Sequence, residues 1–303
     1  MKAIALILMF MAVGALAQKP ATLPPGIVAQ GDQYISQSDG AEMVYVPPGE
    51  CVIGLAQGSF PGADGSLIDT GMKPAGGSDL SAVRVRVVGK DFFKHVLPAT
   101  NVVVNGFFID KYEVSNRCYK KFMEATKHPA PTLPAAFANS SYVAFSWPNN
   151  SWYTSADPIY DGAEYPVTCV TWDDAAAYAK WAGKSLPTEM QWEKAARGTN
   201  GWAFPWGDQW NSANANTIER GDRATRPSGT TTNDKSSYGV LDMAGNVSEW
   251  TAEHAIKGGN WGYFGFIQSR AWARRSNADE AAIAPGPVPQ SVTIGFRCVI
   301  PAP

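Results

Sequence analysis

After Gly198 the sequence reads as long loops punctuated by short motifs, with no internal repeat and no low-complexity tract. That feature argues against a helical bundle. A chain that spends so much of itself in loops must still bury a core. The means is present: hydrophobic residues make up 45% of the 303-residue chain, which contains 11 Trp beside 29 Gly and 22 Pro. Disorder is therefore excluded, and a loop-rich globular protein with an aromatic core is expected.

Upstream of Gly198 the regular elements are short. Residues 18–40, rich in Pro, Gly, Gln and Ser, read as a linker. The stretch from Glu42 to Gly54 alternates around a Pro-Gly turn and suggests a strand and hairpin. Residues 57–82 are Gly- and Asp-rich and read as an inserted loop, and Asn101–Ser115 is strand-like. Capping chemistry marks three helices. Ser115 opens the first, with Tyr119, Phe122 and Met123 on one face. Thr171 opens the second, which Gly183 stops. Thr188, with Gln191 three residues on, forms a capping box for the third, which ends near Gly198. Trp172, Trp181 and Trp192 read as core. No linker divides the remainder, so residues 41–303 are expected to form one domain.

Lys2 precedes an apolar run from Ala3 to Leu16, and Ala15-Leu16-Ala17 follows as a small-residue cleavage site. Residues 1–17 thus read as a signal peptide, because about 15 apolar residues fall short of the ~20 needed to span a bilayer. The mature protein is expected in the periplasm or outside the cell, without a transmembrane segment. A net charge of -2 gives no basic excess, so nucleic acid is not an expected partner. Export permits disulfides, and Cys51, Cys118, Cys169 and Cys298 allow two bridges in three pairings. No C-x-x-C occurs, which argues against zinc and thioredoxin-like chemistry.

Six motifs occur in one order: Phe107–Asn116, Tyr165–Gly198, Phe204–Asp208, Tyr238–Trp250, Lys257–Trp261 and Gly295–Cys298. Together they resemble the formylglycine-generating enzyme family, also called the sulfatase-modifying factor domain. The resemblance implies an α+β, C-type-lectin-like fold with a small twisted sheet, few helices and much loop. Active members bind copper through two cysteines just after the Gly-Gly pair and oxidise a substrate cysteine to formylglycine. Soft sulfur is what selects Cu(I). Here the two positions fall near Tyr263 and Ile267, and no Cys lies between Cys169 and Cys298. No copper is expected, and formylglycine-generating oxidase activity is not expected.

Further expectations come with the resemblance. The family often bridges the positions that here read Ala196 and Trp272, so both halves of that bridge are missing. A family cysteine is Ala179 here, while its usual partner Cys298 remains; Cys298 must pair differently, with Cys169 as a substitute, or stay free. A structural calcium is implied at Asp242, Gly245, Val247 and Glu249, hard oxygen donors on an irregular turn. A second site would use Asn216, Thr217 and Asp222. Glu113 and Glu193 read as structural salt bridges. The scattered histidines His95, His128 and His254 do not form the H-x-x-x-H-x-E arrangement of iron-dependent relatives.

What remains is the stretch Lys257–Ser276, rich in rings and arginines. Trp261, Tyr263, Phe264 and Phe266 can offer stacking faces, and Arg270, Arg274 and Arg275 can grip a carboxylate. The family places its substrate groove along this segment, so a peptide or small-molecule ligand is expected there. Two functions stay open: a ligand-binding or scaffold module, or an exported enzyme with altered, non-copper maturation chemistry on a secreted peptide or metabolite.

Overall fold

The computed structural model describes residues 19–55, 96, 98–131, 144–146, 149–153, 162–222, 224–263, 265–275 and 292–303. The expected signal peptide and the inserted loop 57–82 lie outside them. Strands β1 (Ile27–Gln30), β2 (Gln33–Ser36), β3 (Glu42–Val46), β6 (Phe107–Asp110) and β12 (Val299–Pro301) form an antiparallel five-stranded sheet in the order β1-β2-β3-β6-β12. Strands β4 (Gly49–Ile53) and β5 (Thr100–Val104) make a separate antiparallel pair, as do β7 (Ala144–Ser146) and β8 (Asn149–Tyr153). The last sheet places β9 (Ser248–Trp250) between antiparallel β10 (Ile256–Lys257) and parallel β11 (Ile294–Gly295). The architecture is α+β, with short elements and long connections, as the sequence predicts.

Two expectations are corrected. Residues 18–40 are not simply a linker, because β1 and β2 pair as a hairpin at the sheet edge. The glycine that suggested a linker makes its turn: Gly31 sits at φ 61°, a left-handed conformation that costs a residue without Cβ little. The segment is also fastened to the core, since Asp39 is fully buried. The second correction concerns Glu42–Gly54. Both strands exist, but they do not pair with each other. Pro47 and Pro48 separate them, and proline offers no N–H to a ladder. So β3 stays with β2 and β6, while β4 leaves to join β5.

The helices lie where their caps predict. In α1 (Asn116–Thr126) the Ser115 hydroxyl accepts from Cys118 N. Helices α2 (Trp172–Trp181) and α3 (Glu189–Arg197) both open with reciprocal capping boxes, Thr171 with Asp174 and Thr188 with Gln191. Each box satisfies two amides that would otherwise lack partners. Gly183 takes φ 69° just past α2. The face read for α1 packs against α2: the Tyr119 and Tyr178 rings stack at 5.8 Å, with Phe122 and Phe296 set edge-on around Tyr178. Trp192 of α3 is fully buried, with Ala196, in a second core cluster beside β4 and β5, whereas Trp172 and Trp181 pack half-buried at the edge of the first. Lys194 ties this arrangement together by donating to Pro47 O, Gly49 O and Val104 O at 2.7–3.2 Å.

Candidate functional site

The three-stranded sheet brings together motifs that are distant in sequence. Its middle strand β9 carries Glu249, β10 leads into Gly258 and Gly259, and β11 leads into Arg297. A Cβ at Gly259 would collide with the Ser269 side chain and Ala244 O, so the chain passes here only without a side chain. The loop beyond is pinned from below. Ile218 N donates to Tyr263 O at 3.1 Å, and the buried Glu219 carboxylate accepts from Gly265 N and Phe266 N. Those two amides open a single helical turn, α4 (Gly265–Gln268).

The three arginines of this stretch have different tasks. Arg275 is buried, donates to Ser248 Oγ and Gly258 O, and lies 5.0 Å over the Tyr263 ring. Arg274 faces α3 and pairs with both Glu189 oxygens at 2.8–2.9 Å. Arg270 alone of the three lines a cavity of about 510 Å³. Its guanidinium lies 5.0 Å from the Phe204 and Phe266 ring centres and 5.6 Å from that of Trp272. Burial pulls its pKa down to about 10, against a pull from Asp208 in the other direction. Of the residues expected to bind ligand, the structure therefore puts Arg270 on the cavity. Trp261 and Tyr263 are half-buried beside the calcium-loop candidate, where Trp261 N donates to Asn246 O.

All four cysteines are free and buried. Cys118 and Cys298 lie in one core cluster with Ala179, and Cys51, on β4, lies in another. Burial pushes the Cys169 thiol up to about 12 and raises the other three as well. No thiol lines the Arg270 cavity. Cys118 borders a different cleft of about 490 Å³, beside Glu113 and Arg117.

Around Arg297 four carboxylates are buried: Glu113, Asp234, Asp242 and Glu249. Arg297 binds both Glu249 oxygens at 2.7 Å, and Trp192 Nε1 donates to Oε2 as well. Asp242 accepts from Gly229 N, Asp234 from Ala244 N. Glu113 is not the salt bridge that its motif suggests. It accepts from Val247 N, Asn246 Nδ2 and Ser228 Oγ, neutral donors all. Glu193, by contrast, pairs with Arg197 and Lys257 as expected. Burial and mutual repulsion push Asp242 up to about 6 and raise Glu113 and Asp234 well above the usual carboxylate range.

This donor set fits a hard divalent cation in part. Four buried carboxyl groups stand against one guanidinium, and a divalent ion would offset the negative charge they carry when ionised. Among the described residues no three His, Cys, Asp or Glu side chains converge on one point. A cation on this loop would thus need the Gly245 and Val247 carbonyls beside Asp242, and would share Glu249 with Arg297. At the second place, Asn216 Oδ1 and Thr217 Oγ1 are buried with no hydrogen-bond partner. An oxygen of that kind suits a cation. Asp222 does not join them, because it pairs with Arg220 and Arg226 at the surface.

Residues 32–302 match the sulfatase-modifying factor enzyme 1-like domain. The chain belongs to this family. A mouse relative, inactive C-alpha-formylglycine-generating enzyme 2, is 29% identical over 249 residues, covering 66% of this chain and 77% of its own. The formylglycine-generating enzyme of Thermomonospora curvata is 34% identical over 192 residues, 52% of this chain and 62% of that protein. The solved structure of PvdO from Pseudomonas aeruginosa superposes with a TM-score of 0.55 at 23% identity, covering 93% of this chain and 99% of that one, which supports the formylglycine-generating-enzyme-like fold.

The resemblance sets the family's copper-binding sulfurs near Tyr263, under Arg275, and near Ile267, in α4. The signal that sequence reasoning missed is spatial. Glu113, Asp234 and Arg297 surround the Asp242–Glu249 loop from three separate segments. Their types hinted at structure, and no spacing rule linked them.

Proposed function

We propose that this protein is an exported member of the sulfatase-modifying factor family that binds a peptide or small ligand beside Arg270. Calcium on the Asp242–Glu249 loop would stabilise it, and it would not carry out copper-dependent cysteine oxidation. One observation carries the reading: no Cys lies between Cys169 and Cys298, so the places near Tyr263 and Ile267 hold no thiolate pair, and the four thiols lie in the core. Cu(I) chemistry needs accessible thiolates, and burial holds these groups as thiols. A relative named as inactive, similar over two-thirds of this chain, agrees with loss of the oxidase.

The groove has the parts of a recognition site. Ring-framed Arg270 supplies directional donors, and Trp210, Phe266 and Trp272 supply apolar wall. Calcium would act as a brace for loops that lack ladder hydrogen bonds: Asp242, Gly245 O, Val247 O and Glu249 would hold it, with Asn216 and the Thr217 carbonyl as a second place. The test is metal analysis of the purified protein after exhaustive dialysis, together with thiol counting. Calcium without copper, and four thiols titrating only on denaturation, is the expected result. Stoichiometric copper would overturn the reading.

A further inference from the structure

The two guanidinium groups on the Arg270 cavity are already engaged. Arg197 donates to Trp202 O, Gly54 O, Gly201 O and the Glu193 carboxylate, all within 2.9 Å. Arg270 donates from Nε to Phe266 O at 3.0 Å, lies over three rings and has a further partner. The other polar side chains on the cavity are Asn200, Asp208 and Gln209, all exposed. Asp208 uses Oδ1 to accept from Ala203 N at 2.9 Å. The Asn200 and Gln209 amides have no side-chain partner among the described residues.

The wall itself holds a donor short of an acceptor. Trp210 lines the cavity, and its Nε1 is buried with no hydrogen-bond partner among the described residues. An oxygen supplied from the cavity would satisfy it. The indole is firmly seated: a Cβ at Gly265 would collide with its six-membered ring. Phe204 and Trp206 meet it at 5.1 and 5.7 Å, tilted by 48° and 42°. No described ring lies parallel on Trp210, so a flat apolar face remains for a ligand to stack on.

These groups select against charge and against an extended peptide. An anion would meet Asp208 and two engaged guanidinium groups, and a cation would meet both arginines. A peptide strand would need open backbone partners. Here Gly54 N and O, Gly201 O, and Ala203 N and O are all taken. What fits is a neutral molecule rich in hydroxyls with an apolar face. A carboxylate accepts from hydroxyls, and an amide both donates to them and accepts from them. The volume of about 510 Å³ lies within the usual range for small-molecule sites, ~300–1,000 Å³.

We infer that the Arg270 cavity binds a neutral sugar ring, its C–H face on Trp210 and its hydroxyls on Asn200, Asp208 and Gln209. This inference rests on the ligand-binding reading above and narrows it to one chemical class.

Saturation-transfer NMR of the full chain with glucose, galactose, mannose and N-acetylglucosamine tests it, with the Trp210 indole N–H signal as local reporter. Each is offered as the free sugar and as the methyl glycoside, which tells a soluble sugar from a glycan end. At least one should bind in the millimolar range and shift the Trp210 signal. Asn200→Ala and Gln209→Ala, both at exposed positions, should each weaken that sugar about threefold to tenfold. Trp210→Phe keeps a ring but removes the N–H, and should weaken it as well. Thermal melts establish that each variant is folded. Binding that Asn200→Ala and Gln209→Ala leave unchanged would overturn the inference. So would glucose 6-phosphate or glucosamine binding more than about tenfold tighter than the neutral sugars. Should no sugar shift the Trp210 signal, the inference falls, and a mixed peptide and metabolite screen on the same signal decides the broader ligand-binding reading.

Discussion

The Arg297 guanidinium holds Glu249 through two 2.7 Å contacts, and both side chains are completely buried. The pair joins the segment between β11 and β12 to the centre of β9, so the C-terminal motif and the calcium-loop candidate form one unit. Removing the cation would leave four carboxylates without a counter-charge. Arg297→Met should therefore cost about 3–5 kcal/mol, the range for breaking a buried pair from one side. Equilibrium urea unfolding measures it, and a loss under about 1 kcal/mol would contradict the role assigned to the pair.

Lys184 makes a comparable connection, with Nζ 2.7 Å from both Asp39 and Asp110. Burial by itself would raise Asp39, but Lys184 holds it below its ordinary value; burial still lifts Asp110 to about 6. Burial disfavours the Lys184 charge, yet its two partners raise its pKa overall. The signs follow. The Asp39 contribution is present above its ordinary 3.8 and is lost as pH falls through its lower folded value. The Lys184 contribution is full below 10.5 and is lost as pH rises through its higher folded value. Asp110 opposes both, since ionising it in place costs stability as pH climbs toward 6. Lys184→Met removes the cation, so both acids should prefer to be protonated. Its deficit against the parent, about 3–5 kcal/mol at pH 7, should shrink as pH falls toward 4. A deficit independent of pH would refute this assignment.

Calcium removal supplies a third prediction. If an ion occupies the Asp242–Glu249 loop, a chelator should lower the melting temperature, and added calcium should restore it. Saturation at a hundred times the dissociation constant corresponds to about 2.7 kcal/mol. Asp242→Asn should abolish the calcium-dependent increment, and Asp222→Asn should leave it intact, since Asp222 is held by Arg220 and Arg226. An Asp222→Asn variant that lost the increment would argue for a different ligand set.

Much of the fold was legible because helix starts are local. Ser115, Thr171 and Thr188 each announce a helix within three residues, and each helix begins there. Strand partners are not local. Nothing in Glu42–Gly54 says that its halves belong to different sheets, and nothing in residues 27–36 shows that a sheet edge awaits them. The site divides in the same way. The lost sulfur pair could be read directly from the chain, but the separation of Arg270 from Arg274 and Arg275 could not. Their surroundings come from α3, the Phe204–Trp210 segment and the Gly258 turn, which only the folded chain brings near. Lys184 between Asp39 and Asp110 was invisible for the same reason.

The central claim is that this family member has exchanged a sulfur site for a ring-and-guanidinium groove. Oxygen uptake by the Cu(I)-supplied protein in the presence of a cysteine-containing peptide tests it most directly. The account predicts uptake no greater than that of the peptide and copper without protein, and no aldehyde product. Catalytic oxygen consumption accompanied by a formylglycine-bearing peptide would contradict it.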